Sequence, residues 1–287
     1  MTLLNYLLSR DNYPIKEISN ILVLFNQIVI GQIDNLHTYK TKIEYWQHPI
    51  ETLYFKFSLH ISSIVKLLNK TSVSFNDNRL DILDISSINI LTRAIIENYL
   101  MIYYLYFDNV DESRKEFRFL IYAIDGLSRR QKNLVAFDDE SSNQLSNENK
   151  ELLNLKNKLK NNSYFQFLEI KQQERYLKGC ATEKNLTTLL ELIDLNPELY
   201  QNIWKLQSNY AHSEFISVLQ IRTYVKRPEE LVNSSFVMAE LTAMIASISI
   251  DHLKNNFDAA RLIFDELEEE KKELLNFFLK QGKKHNA

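Results

Sequence analysis

Apolar residues recur at three- and four-residue spacing along most of this chain, the period of a helix with one buried face. Behind Pro14, a residue suited to a first helical position, Ile15, Ile18, Ile21, Leu22, Phe25, Ile28 and Val29 predict a long core-facing helix ending past Gly31. The apolar stretch at 1–10 predicts a shorter helix ahead of it. A new start at His48-Pro49 carries Leu53, Phe57, Leu59, Ile64, Leu67 and Leu68 to about position 70. Residues 71–81, with Asn76-Asp77-Asn78, then read as a loop.

From Asp84 the chain enters its most hydrophobic helix, 88–107, which is apolar nearly all round in its second half and belongs at the centre of a bundle. Asp111-Glu112-Ser113 opens a helix to about Val135, and the polar, acidic stretch 138–149 reads as a mobile connection into a Lys/Asn-rich helix at 150–160. A helix at 163–178 is stopped by Gly179, and a short one follows at 186–195. Asn196-Pro197 then supplies a cap and a first turn for a helix holding Leu199, Ile203, Leu206 and Tyr210. Pro228 introduces an apolar helix at 231–253, and 258–280 is a last amphipathic helix.

No set of alternating strands separated by glycine turns is found, so the pattern predicts an all-α, multi-helix bundle of about ten helices. It divides into an N-terminal helical extension (1–83), a central bundle (84–255) and a C-terminal amphipathic helix (256–287). With 45% hydrophobic residues in 287, a large core forms without disulfides or a structural metal. Only 4 Gly and 4 Pro are present, well below the usual ~7% and ~5%, so the elements are long.

Net charge is −3, from 34 basic and 37 acidic side chains, which gives no global field for capturing nucleic acid or an anionic membrane. The longest apolar segment is interrupted by Arg93 and Glu97, so no membrane span is expected. Cys180 is the only cysteine, which excludes an internal disulfide and a thiolate metal cluster and fits a reducing, cytoplasmic setting. Nucleotide-cradling glycine loops, zinc-protease and EF-hand motifs are missing from the sequence, and neither a cofactor nor a metal is expected.

Two polar constellations remain. Asn89, Arg93 and Glu97 stand at i, i+4 and i+8, on one face of an otherwise apolar helix. This spacing suits an internal ion pair, or a pocket in which Arg93 holds a phosphate or carboxylate and Glu97 orients it. In LQSNYAHSEF (206–215), Ser208 and His212 are four apart on the face that carries Tyr200 and Trp204. There, His212 either caps its own helix or acts as a general acid or base.

An R-x3-E on a buried helix, followed over a hundred residues later by Tyr-rich sequence ending in S-x3-H, resembles a family of helical bacterial proteins. More distantly the chain resembles the higher eukaryotes and prokaryotes nucleotide-binding (HEPN) superfamily. That resemblance spans roughly 84–255 and implies a HEPN-like central bundle with metal-independent RNA cleavage or nucleotide sensing, as in toxin and antiphage systems. The family motif, R-x4–6-H, matches His212 but meets Gln207 at the arginine position, so Arg93 would have to supply the charge from another helix. The implied site joins His212, Arg93 and Glu97 as catalytic groups, with Asn89, Gln207, Ser208 and Tyr210 in binding roles.

A different class fits the same residues. In it the chain is a non-catalytic helical adaptor whose polar site is structural and whose function is to bind a partner protein through an exposed helix. Ile263, Leu267, Leu274 and Phe278 also leave room for a homodimer through the last helix, with Lys271 in the seam. Arg129-Arg130-Gln131-Lys132 suits phosphate contacts or a solvated helix end.

Overall fold

The structure, a computed structural model, describes residues 2–39, 43–75, 78–193, 195 and 197–283. Helices account for almost all of it. The first are α1 (Leu3–Ser9), α2 (Ile15–Thr38), α3 (Pro49–Leu67) and α4 (Ile85–Ile102), with a hairpin of β1 (Thr71–Phe75) and β2 (Asn78–Ile82) ahead of α4. A π-helical turn at Tyr103–Phe107 precedes α5 (Glu112–Asn133), α6 (Asp139–Asn161), α7 (Ser163–Gln166) and α8 (Ile170–Lys178). The remainder are α9 (Leu186–Leu192), α10 (Pro197–Ala211), α11 (Phe215–Lys226), α12 (Pro228–Asn256), α13 (Asp258–Asp265) and α14 (Glu269–Gly282). The all-α bundle read from the pattern is therefore what forms, with fourteen α-helices among the described residues.

Two compact units form. The first gathers 1–43, 49–102 and 190–287, thus drawing on both ends of the chain. Its frame is a ring in which α2 packs on α3, α3 on α4, α4 on α12 and α12 back on α2. The ring closes because each helix buries an apolar stripe: Ile18, Leu22, Phe25 and Val29 from α2, Phe57, Ile61 and Ile64 from α3, Ile88 and Ile95 from α4. Each such side chain contributes about 1.5–3 kcal/mol of burial. The most central element is α12, which is long and apolar enough to cross a membrane and has 72% of its apolar window buried inside the fold. Within it, Glu240 accepts hydrogen bonds from Tyr6 and from Arg10 Nε (2.8 Å), which pins the N-terminal helix and satisfies a buried carboxylate.

The second unit comprises 44–48 and 103–189. Its core joins Phe117, Leu120, Ile121 and Ile124 of α5 to Leu152, Leu155 and Leu159 of α6, Phe165 of α7 and Tyr176 of α8. Gly179 ends α8 at φ 109°, a left-handed backbone in which a side chain would be strained.

Several local expectations are corrected. Residues 71–75 and 78–82 pair as antiparallel strands where a loop was expected, with Val73 opposite Leu80 and Ser72 opposite Asp81. Five-residue strands carry too short an alternation to register in the sequence; Asn76 and Asp77 lie outside the described residues. The stretch 138–149 is the first half of α6 and not a mobile connection. Asp138 and Ser141 form a reciprocal capping box there, and Gln131 Nε2 donates to Leu145 O (3.0 Å), so a polar segment is held helical at one end and by a neighbour. The helices expected at 163–178 and 258–280 are each broken in two. Asn196, expected as a cap, lies outside the described residues, whereas Pro197 does occupy the first position of α10.

Candidate functional site

The stripe on α4 meets α10 inside the first unit. Arg93 Nε donates to Glu97 Oε1 (2.9 Å) and Nη1 to Ser208 Oγ (2.6 Å), while the guanidinium lies 4.2 Å above the Trp204 ring. Trp204 Nε1 also donates to Glu97 Oε1 (2.8 Å), so Glu97 joins both partners. Helical spacing builds this network: Arg93 and Glu97 are one turn apart on α4, as are Trp204 and Ser208 on α10. The Arg93 side chain is 19% exposed and that of Glu97 46%. One face and one edge of the guanidinium are thus engaged, and its charge is matched by a carboxylate. A phosphate would have to displace Glu97 or Ser208 to be held bidentately.

The other residues singled out by the sequence separate into two places. Gln207 is sealed in the core, its Nε2 3.5 Å from Met238 Sδ and its Oε1 without a partner among the described residues. Asn89 is also buried and donates to Ile85 O (2.9 Å). Asn89 and Tyr210 line one cavity of about 210 Å³ with Leu206, Tyr224, Ser234 and Met238. Burial and the neighbouring Tyr224 push the Tyr210 hydroxyl up, so it stays a neutral donor. His212 stands apart from that cavity, exposed just past the last residue of α10, with no side-chain partner among the described residues.

Sequence reasoning missed the turn after His212 and the whole of the helix it launches. Ser213 adopts φ 53°, and two hydrogen bonds close a Schellman turn there: Ser213 N–H to Tyr210 O (3.4 Å) and Glu214 N–H to Asn209 O (2.9 Å). The turn leads into α11, which is apolar on nearly every side and leaves most of those residues exposed, Ile216 (45%) and Ile221 (40%) among them. Ser217 is buried and Gln220 and Tyr224 face inward half-buried, while Phe215 (74% exposed), Val218 (51%), Leu219 (40%) and Val225 (60%) point outward. At 100° per residue, 217, 220 and 224 fall on one side of the helix and 215, 218, 219, 222 and 226 on the other. With apolar residues on nearly every side, the segment shows no one-sided stripe from which a helix could be read.

A third cluster, in the second unit, was equally unread. Glu183 accepts from Arg114 Nη2 (3.0 Å), Arg118 Nε (2.9 Å), Tyr104 Oη (3.3 Å) and Tyr164 Oη (2.9 Å), and the fully buried Arg118 also binds Asp108 (2.7 Å) and Tyr104 O (2.8 Å). Burial would raise the Glu183 pKa, yet the two arginines hold it below the ordinary carboxylate range. Two cations face two carboxylates here, so the charges are internally balanced. Among the described residues no group of three or more His, Cys, Asp or Glu is placed to hold a metal. No protein-family model, curated protein or solved structure matches this chain.

Proposed function

We propose that this protein is a non-catalytic helical adaptor, which docks a partner protein on the outward face of α11 and uses the Arg93–Glu97–Trp204–Ser208 network to hold α10, and hence the turn into α11, against α4. The observation that carries this reading is the run of exposed apolar residues along α11, from Phe215 through Val218 and Leu219 to Val225. A surface helix that turns Ser217 inward and Phe215, Val218 and Leu219 outward is destabilised by exposing apolar area, and large exposed apolar patches mark interaction sites. The Arg93 network supports the same reading, because a guanidinium stacked on an indole of α10 and bonded to a carboxylate of α4 and a hydroxyl of α10 braces the two helices.

The competing reading, RNA cleavage by His212 with Arg93 and Glu97, draws on the exposure of His212 one turn beyond Ser208. The two separate in one experiment on the full chain. Purified wild type, His212→Ala and Leu219→Glu are incubated with mixed-sequence single-stranded RNA, and each is used as bait for associated proteins. The adaptor reading expects intact RNA throughout, a defined associate retained by wild type and His212→Ala, and its loss with Leu219→Glu. RNA cleavage that disappears in His212→Ala would overturn it.

A further inference from the structure

The outward face of α11 carries, besides its apolar residues, two charged ends of opposite sign. Glu214 precedes the helix at its N-terminus, and Arg222 and Lys226 stand exposed toward its C-terminus. None of the three has a side-chain ion pair or hydrogen bond among the described residues, whereas Arg227 and Glu230 just beyond them pair at 2.7 Å. From Phe215 to Lys226 there is no acidic residue. Such a face is self-complementary in one direction only. A parallel pair would bring Glu214 to Glu214 and Lys226 to Lys226, whereas an antiparallel pair brings each negative end to a positive one.

We propose that the partner docked on α11 is a second copy of this chain, paired antiparallel about a two-fold axis that passes beside Val218 and Leu219. This rests on the reading of α11 as a docking face. Residue numbers across such an axis sum to 437, by helical geometry, so Phe215 of one copy covers the Arg222 side chain of the other, and Glu214 falls within reach of Arg222 and Lys226 of the other. Val218 and Leu219 of both copies meet at the centre, where water is most fully excluded. About such an axis the two helices overlap over residues 215–222, about 12 Å, a seam well below the roughly 800 Å² per partner of a standard interface, and association at about micromolar concentrations is expected.

Sedimentation equilibrium of the full chain from about 1 to 100 µM, spanning that range, tests the pairing, with charge reversal testing its direction. Wild type is expected to shift from monomer to dimer. Leu219→Glu should weaken association at least tenfold, as should Glu214→Arg, and the combination Glu214→Arg with Arg222→Glu and Lys226→Glu should restore it. In a Cys180→Ser background, Leu219→Cys should form an intermolecular disulfide under mild oxidation and Phe215→Cys alone should not. A wild type that stays monomeric throughout overturns the self-pairing. If Leu219→Glu still abolishes capture of another protein, the adaptor reading survives that result; if nothing is captured either, both fall. A dimer indifferent to Leu219→Glu, or a charge swap without rescue, also overturns the proposed seam.

Discussion

Two surface helices of the first unit, α14 and α11, both carry Leu and Phe side chains and place them in opposite senses. From α14, Leu274, Leu275 and Phe278 are buried, with Phe278 against Tyr6 and Phe25 at ring distances of 5.4 and 5.7 Å, while Glu269, Glu270, Glu273 and Lys280 face outward. Its neighbour in kind, α11, buries Ser217 and leaves Phe215 and Val218 outside. The first is held by what it buries; the second sits on its unit through small and polar groups such as Tyr224, whose hydroxyl meets Ser234 Oγ at 2.9 Å. A helix stabilises the fold mainly through the face it turns inward, so the exposed apolar residues of α11 contribute little to holding it in place.

The contrast is broken most directly by truncating one aromatic in each helix. Phe278→Ala should cost about 3–5 kcal/mol, and Phe215→Ala should stay within about 0.5 kcal/mol, both by denaturant unfolding. Equal losses would mean that α11 is packed like α14. The same inward-against-outward rule separates two arginine networks of similar chemistry. Arg118 and Arg93 each lie 4.2 Å over an aromatic ring, but Arg118 is 1% exposed and Arg93 19%. Glu183→Ala leaves Arg118 paired with Asp108 but removes the carboxylate it shares with Arg114, and should cost about 2–3 kcal/mol, while Glu97→Ala at the half-exposed network should cost about 1 kcal/mol or less.

A pH series sharpens the comparison further, because the packed side of the unit contains a histidine and α11 contains none. Burial holds the His252 pKa down to about 4, against the help of Asp251, and its Nδ1 meets the Tyr99 hydroxyl. A neutral folded histidine means that the unfolded chain binds the extra proton between the ordinary value and about 4. Stability is therefore fully present above about pH 6.5 and lost as pH falls toward 4, by roughly 3 kcal/mol at most. The melting temperature of wild type should fall over that window and that of His252→Gln should fall less. The smallest effect concerns the turn that aims α11. Ser213→Gly relieves a left-handed backbone and should raise stability by under about 1 kcal/mol, without changing association.

Much of the architecture could be read in advance, because long helices repeat their signal many times: α2, α3, α5 and α12 each show four or more apolar residues at helical spacing. Shorter or polar elements could not. The hairpin has only five residues per strand, and α6 begins in residues whose helicity rests on the Asp138–Ser141 box and a neighbouring helix. At the site, Arg93 and Glu97 were legible as a pair from their spacing, and Trp204 and Ser208 as sharing a face, but that the two pairs meet depends on how α10 lies on α4. Glu183 is remote in sequence from Arg114 and Arg118, and nothing local announces it. The helix α11 was not read at all, since its apolar residues follow no one-sided period, and which of them are covered is set by the neighbours that the rest of the chain supplies.

Hydroxyl-radical footprinting of the full chain at low and high concentration addresses the exposure of α11 most directly. Phe215, Val218 and Leu219 should be modified in the dilute sample and protected on association, while Phe137 (91% exposed) and Phe167 (90%) in the second unit remain equally modified in both. Protection confined to the α11 residues is the result expected if the outward apolar face is the working surface of the protein. Undiminished labelling of Phe215 in the associated state, or its absence in the dilute one, would contradict that account.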